Sequence, residues 1–238
     1  MGADQARGRR GPAKAFDVGS ALDAAMLVFW RKGFEGTSLS DLTEAMGINR
    51  PSLYATFGDK QHLYRRALGR FDEIGRAVFV ASLAEPTARR FAERLLRGQA
   101  DLYSDPKLAP GCFLIQSAIS TSISSRAARV ESAERRRLNE LAVRRHLESG
   151  DRAGQLPSGV TPAEMAAYLA SVGHGIAIRA ADGAAREELY RIVDLAVGFW
   201  PKTDGGPTKA PGVGTDETKS QSRRKKRRAL QQELGPIK

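Results

Sequence analysis

From Asp17 onward the apolar positions fall three and four residues apart. Val18, Leu22, Ala25, Met26 and Phe29 form one stripe that stops at Gly33, the pattern of an amphipathic helix closed by a residue free to turn left-handed. After a Phe34-Glu35-Gly36 turn, Ser38 with Asp41 three residues on predicts a capping box. Leu39, Leu42, Ala45 and Met46 then give a short second face that ends at Gly47. A third helix must start almost at once. Asn49 caps it, Pro51 sits in the first turn, where no amide donor is needed, and Leu53, Tyr54 and Phe57 follow before Gly58. Asp59 caps a fourth helix, whose face of Leu63, Tyr64, Ala67, Leu68, Phe71, Ile74, Val78 and Phe79 runs toward the break at Pro86. That length carries it out of a first domain and into a second.

Beyond Pro86 the same period predicts helices over Thr87 to Tyr103, Gly111 to about Ser124, Arg126 to Glu148, Pro162 to Ala181 and Ala184 to Trp200. Thr161 with Glu164 forms a second capping box, and Pro162 takes the first helical position. No strand-like alternation competes. The expected fold is all-α, about nine helices, with an N-terminal three-helix helix-turn-helix domain followed by a helical ligand-binding and dimerisation domain. Four regions follow: a flexible basic arm (1–15), the helix-turn-helix domain (16–60), the effector-binding and dimerisation body (61–201) and a disordered basic tail (202–238).

Two short helices joined by a tight glycine turn, the second headed by small polar and basic residues, are the parts of a helix-turn-helix. In such a unit the leading residues of the second helix reach base edges in the major groove, where the donor and acceptor pattern distinguishes all base pairs. Asn49, Arg50 and Ser52 are the base-reading candidates, with Arg50 suited to paired bonds with a guanine. Thr37, Ser38, Ser40, Tyr54, Thr56 and Lys60 are candidates for phosphate contacts, which position the domain without reading sequence.

The run Gly33-Phe34-Glu35-Gly36-Thr37-Ser38-Leu39-Ser40-Asp41-Leu42, continued by Gly47-Ile48-Asn49-Arg50-Pro51-Ser52-Leu53-Tyr54 and Phe57-Gly58-Asp59-Lys60, closely resembles the TetR/AcrR family of bacterial repressors. The resemblance implies a homodimer of helical subunits on a palindromic operator, with residues 49 to 52, Pro51 included, at the base-reading positions and Tyr54 and Lys60 at phosphate-contacting ones. It also implies a small-molecule effector held in the body and a twofold interface made by the last two helices. Ala55 departs from the family pattern, in which a larger polar side chain is common.

For the effector, the apolar faces of the body offer Phe79, Leu95, Leu102, Tyr103, Phe113, Gln116 and Ile119, with His146 and His174 as polar anchors, a lining suited to a mainly hydrophobic molecule. The twofold interface is expected on small residues of the eighth helix, such as Ala166, Ala167, Ala170, Gly173 and Gly175, and on the stripe Leu189, Ile192, Val193 and Ala196. Two other readings compete. One is a helix-turn-helix regulator responding to thiol oxidation at Cys112, because a helix N-terminus can lower a thiol's pKa; the other is a helical ligand-binding protein without DNA-binding activity.

Charge and composition narrow these choices. The 238 residues hold 38 Lys and Arg against 27 Asp and Glu, a net +11, which favours polyanionic partners. More than half of that excess lies in residues 202–238, where Arg223 to Arg228 are six consecutive cations. Such a run can add salt-sensitive, sequence-independent affinity for DNA. The mixed charges between Glu131 and Arg145 read as a solvated face without function. One cysteine excludes an intrachain disulfide, and no stretch is apolar for long enough to span a bilayer, so the expected location is the cytoplasm, away from the membrane. The three histidines lack metal spacing, and no catalytic signature groups a nucleophile with a base. No cofactor, metal or enzyme activity is expected.

Overall fold

Asp17 opens α1 (Val18–Gly36) by accepting a hydrogen bond from the Ser20 amide at 2.6 Å. The predicted stop at Gly33 is a kink rather than an end: Gly33 adopts φ 70°, a glycine conformation, and one further turn runs on to Gly36. α2 (Leu39–Met46) carries the predicted box, with the Asp41 amide donating to Ser38 Oγ at 3.0 Å and the Ser38 amide donating to Asp41 Oδ2 at 2.8 Å. Gly47 closes it in the left-handed conformation. Asn49 caps α3 (Arg50–Phe57), accepting from the Ser52 amide at 2.9 Å. Asp59 does the same for α4 (Lys60–Leu83), and Thr87 for α5 (Ala88–Tyr103).

The computed structural model describes residues 16–119, 126–149 and 154–201. The arm over 1–15, the tail over 202–238 and the end of the sixth predicted helix from residue 120 lie outside them. The remaining helices are α6 (Phe113–Ile119), α7 (Arg126–Glu148), α8 (Pro162–Ala181) and α9 (Arg186–Val197). Two predicted starts come late for local reasons. Gly111 has φ 81° and hydrogen-bonds the Tyr103 carbonyl, so the chain is still turning there and α6 begins only at Phe113. Between α8 and α9, Gly183 is left-handed and the Ala184 amide donates back to the Arg179 carbonyl, which holds Ala184 in the turn.

The apolar stripes of α1, α4 and α6 meet in one aromatic core. Trp30 meets Phe71 edge-on at 4.8 Å and stacks with Phe113 at 6.2 Å, while Tyr64 meets Phe29 at 5.1 Å and Phe113 at 5.5 Å, both edge-on. Edge-on aromatic pairs add about 0.5–1.5 kcal/mol each beyond their buried area. Leu42, Leu53 and Phe57 extend the same core under α2 and α3. In the body, α5 buries Phe91, Ala92, Leu95, Leu96 and Tyr103 between α4 on one side and α8 and α9 on the other, and α7 packs on α6 and α8.

Candidate nucleic-acid interface and internal cavity

α3 buries only Leu53 and Phe57, at a spacing of four, so its other positions face away from the core. Arg50 is exposed and donates to Ser40 Oγ of α2 at 3.0 Å, which joins the two helices on their outer side. Asn49 is exposed, but its Oδ1 is occupied by the cap. Tyr54 is 49% exposed, a high value for a tyrosine in so small a head; Pro51 is exposed, and Ser52 and Thr56 are half-buried. Lys60 is half-buried, its Nζ 4.5 Å from the centre of the Phe34 ring, and burial pulls its pKa below the ordinary lysine value.

Two of the phosphate candidates have structural duties. Thr37 is 1% exposed and its hydroxyl donates to the Gly33 carbonyl at 2.6 Å, so it locks the kink of α1 and has no surface to offer. Ser38 is exposed, yet its hydroxyl both donates to and accepts from Asp41. Lys32 also donates to Asp41 at 2.7 Å, and with the Ser38 amide it holds this carboxyl well below the usual range. A pairing that the sequence pattern did not suggest, Lys32 with Asp41, thereby fixes α2 against α1.

The body holds a cavity of about 710 Å³, partly open to solvent and walled by α4, α5, α6, α7 and α8, a volume that suits a small organic ligand. Phe79, Leu95, Leu102, Tyr103 and His174 line it. Phe113 does not, because it is fully buried in the aromatic core against Trp30, Tyr64 and Phe71. Gln116 turns away and donates to the Pro110 carbonyl at 3.0 Å, and His146 packs on Phe91 with ring centres 4.1 Å apart. The side chain of Ile119 lies outside the described residues.

The wall is also far more charged than an apolar lining would be. Asp72, Arg76, Glu131, Glu134, Arg135, Arg136 and Glu140 all contribute to it; on α7, Glu134, Arg137, Glu140, Arg144 and Arg145 are exposed, as the reading of a solvated face expects, while Glu131, Arg135 and Arg136 are partly buried. Arg135 reaches Asp72 of α4 and, within α7, Glu131 at 2.9 Å. Burial lowers the pKa of His174, and the nearby Arg136 adds to the shift, so its imidazole is held toward the neutral form.

Gly173 is another residue the sequence reading placed elsewhere. It faces the cavity from α8, where a Cβ would run into Gln99 Oε1 of α5. Leu189, Val193 and Ala196 are likewise buried inside the chain. The apolar side chains that α8 and the C-terminal end of the described chain leave outward are Tyr168, Ile178, Leu195 and Phe199. Tyr168 and Phe199 meet edge-on at 5.5 Å, and the Tyr168 hydroxyl donates to the Ala196 carbonyl.

Cys112 precedes α6, but its surroundings cancel the activation that a helix N-terminus gives. The residue is buried, and burial pushes the thiol's pKa up despite a hydrogen bond from Tyr103.

Residues 21–67 match the family described as bacterial regulatory proteins, tetR family. Along most of its length the chain is similar to the HTH-type transcriptional repressor ComR of Escherichia coli K12, at 31% identity over 195 residues, 81% of this chain and 93% of ComR. It belongs to the TetR family of bacterial regulatory proteins. The HTH-type transcriptional repressor AcnR of Corynebacterium glutamicum is 28% identical over 77% of this chain and 92% of its own length. Among solved structures, a cysteine-substituted form of the TetR family transcriptional regulator CifR, complexed with 26-bp double-strand operator DNA, has a TM-score of 0.75 and 34% identity, covering 80% of this chain and 100% of CifR. This TetR-family protein is therefore a DNA-binding transcriptional regulator, with an N-terminal helix-turn-helix and a helical C-terminal part. Among its described residues no helix is long and apolar enough to cross a membrane.

Proposed function

We propose that this regulator is a repressor that binds a palindromic operator as a homodimer and leaves it when a small molecule occupies the cavity. Residues 16–60 are the DNA-reading head in this scheme, and 61–201 the effector-binding and dimerising body. The observation that carries the reading is the outer surface of α3: Arg50 and Tyr54 stand clear of the core, and Ser52 is partly exposed, on a helix anchored at Leu53 and Phe57. Arg50 and Ser52, with Asn49 and Pro51 beside them, read bases. Tyr54, Thr56, Ser40 and Lys60 bind phosphates.

The dimer is supported by the outward apolar side chains Tyr168, Ile178, Leu195 and Phe199, which a partner copy would cover. A twofold pair places two heads on successive major grooves about 34–36 Å apart, so the operator has matching half-sites. A ligand relieves repression only by preferring the conformation in which the heads no longer fit, since equal affinity for both would shift nothing. Selecting bound fragments from genomic DNA tests the reading directly. A palindromic sequence should be enriched, and Arg50→Ala should weaken that enrichment and relax it at one base position of each half-site; recovery of random fragments would refute the reading. Sedimentation at micromolar concentration should give a dimer.

A further inference from the structure

The acids of the cavity wall are largely committed to partners. Asp72 and Glu131 hold Arg135, Glu131 also faces Arg65 at 3.6 Å, and Glu134 pairs with Arg137 at 2.6 Å. Glu140, the remaining wall acid, is exposed and makes no ion pair among the described residues. Arg136 is different. It lies partly buried on the same wall, faces no carboxylate within salt-bridge distance among the described residues, and gives one hydrogen bond to the Leu114 carbonyl. A guanidinium placed there has lost part of its hydration without gaining an ion-pair partner, and the rest of its planar fork of donors has no partner among the described residues.

Two further features define what shares the space with it. Phe79, Leu95, Leu102 and Leu169 supply an apolar surface. Gln99 presents a buried Oε1 that meets no donor, and the missing side chain at Gly173 is what admits its amide. An acceptor buried without a partner costs free energy until a donor arrives.

We propose that the cavity takes an amphipathic organic anion, with its acid headgroup on Arg136, its apolar body against Phe79, Leu95, Leu102 and Leu169, and a hydroxyl or amide donor on that body bonded to Gln99. The proposal rests on the reading that the cavity is the effector site and names the chemical class that site selects. A purely hydrophobic ligand would leave both Arg136 and Gln99 unanswered, and a cationic one would face Arg136 directly.

Titration calorimetry on the full-length protein tests this with three probes of one chain length, decanoate, 1-decanol and decylamine, each below its aggregation concentration. Decanoate should bind at least tenfold more tightly than the other two. Arg136→Gln should remove that advantage, lowering decanoate affinity at least tenfold more than decanol affinity, and Arg136→Lys should restore part of it. Addition of 3-hydroxydecanoate should show a gain over decanoate that Gln99→Leu abolishes. If decanol binds as tightly as decanoate, or Arg136→Gln changes nothing, the anion assignment is overturned while the cavity remains an effector site. If none of the probes binds, the effector reading falls with it. The headgroup comparison on the unaltered protein decides the matter even where Arg136→Gln fails to fold.

Discussion

Arg70 of α4 grips Asp23 of α1 through two hydrogen bonds, Nε to Oδ1 at 2.6 Å and Nη2 to Oδ2 at 3.2 Å, and its remaining Nη1 donates to Glu73 at 2.7 Å. The fork ties the first helix of the head to the helix that walls the cavity. Both side chains are more than a third exposed, so solvent screens the pair and its contribution to stability is about 0–1 kcal/mol. Arg70→Ala should lower the melting temperature by no more than about 4 °C, as followed by circular dichroism. A much larger drop would mean that the aromatic core cannot hold α1 on α4 without this pair.

Arg50 and Lys60 should separate base reading from backbone contact. Arg50→Ala should cost about 1–3 kcal/mol of operator affinity and relax the preference at one base position. Lys60→Gln should weaken binding to all sequences alike and flatten the dependence of log affinity on log salt by about one counterion. Dissociation constants over a salt series for the two variants distinguish the roles; identical slopes for wild type and Lys60→Gln would remove Lys60 from the backbone contacts.

Acid should loosen the head through Asp41. Its folded-state pKa lies below the ordinary value of 3.8 because Lys32 and the Ser38 amide stabilise the carboxylate. The contribution is therefore fully present above pH 3.8 and declines as pH falls below it. Asp41→Asn should flatten that part of the stability profile measured by denaturant melts. Ser38→Ala, which removes the cap of α2, should cost about 1 kcal/mol even at neutral pH.

Gly173 and Gln99 should behave as a coupled pair. Gly173→Ala forces a methyl against the Gln99 amide, an overpacking expected to cost about 1–3 kcal/mol. Gln99→Ala in the same chain should recover most of it. A double-mutant cycle measured by thermal or chemical unfolding would show additive effects if the two side chains were in fact independent.

Cys112 should be a slow nucleophile. Its buried thiol has a raised pKa, so little thiolate exists at neutral pH, and a thiol-reactive dye should modify the native protein far more slowly than the denatured one. Operator binding should survive mild peroxide. Rapid native-state labelling with loss of DNA binding would revive oxidation as the signal.

The head was legible in the sequence because its signals are local. Ser38, Asn49 and Asp59 each cap the helix they were expected to cap, since a cap requires only its own next three residues, and for the same reason Thr161 caps α8 in the body. The cavity was less so. Phe79 and Phe113 look alike in a helical stripe, and only the approach of α1, α4 and α6 decides that Phe113 fills a core while Phe79 faces open space. Arg136 and Arg137 are neighbours of identical chemistry, yet one turns to the cavity wall and the other to Glu134 at the surface. The inward and outward sides of α9 were exchanged for a related reason: its apolar stripe was real, but what buries it is α5 of the same chain.

The aromatic cluster also bears on how such regulators can be recombined. Phe29 and Trp30 come from the first helix; Phe34 of that helix stacks on Phe29, but the other rings that meet them, Tyr64, Phe71 and Phe113, lie beyond Lys60. A chimera spliced at the end of α3 would strip a tryptophan and a phenylalanine of their natural covering and hand them to an unmatched host. The workable seam lies farther along α4, past Phe71, and even there the recipient must supply a ring where Phe113 stood.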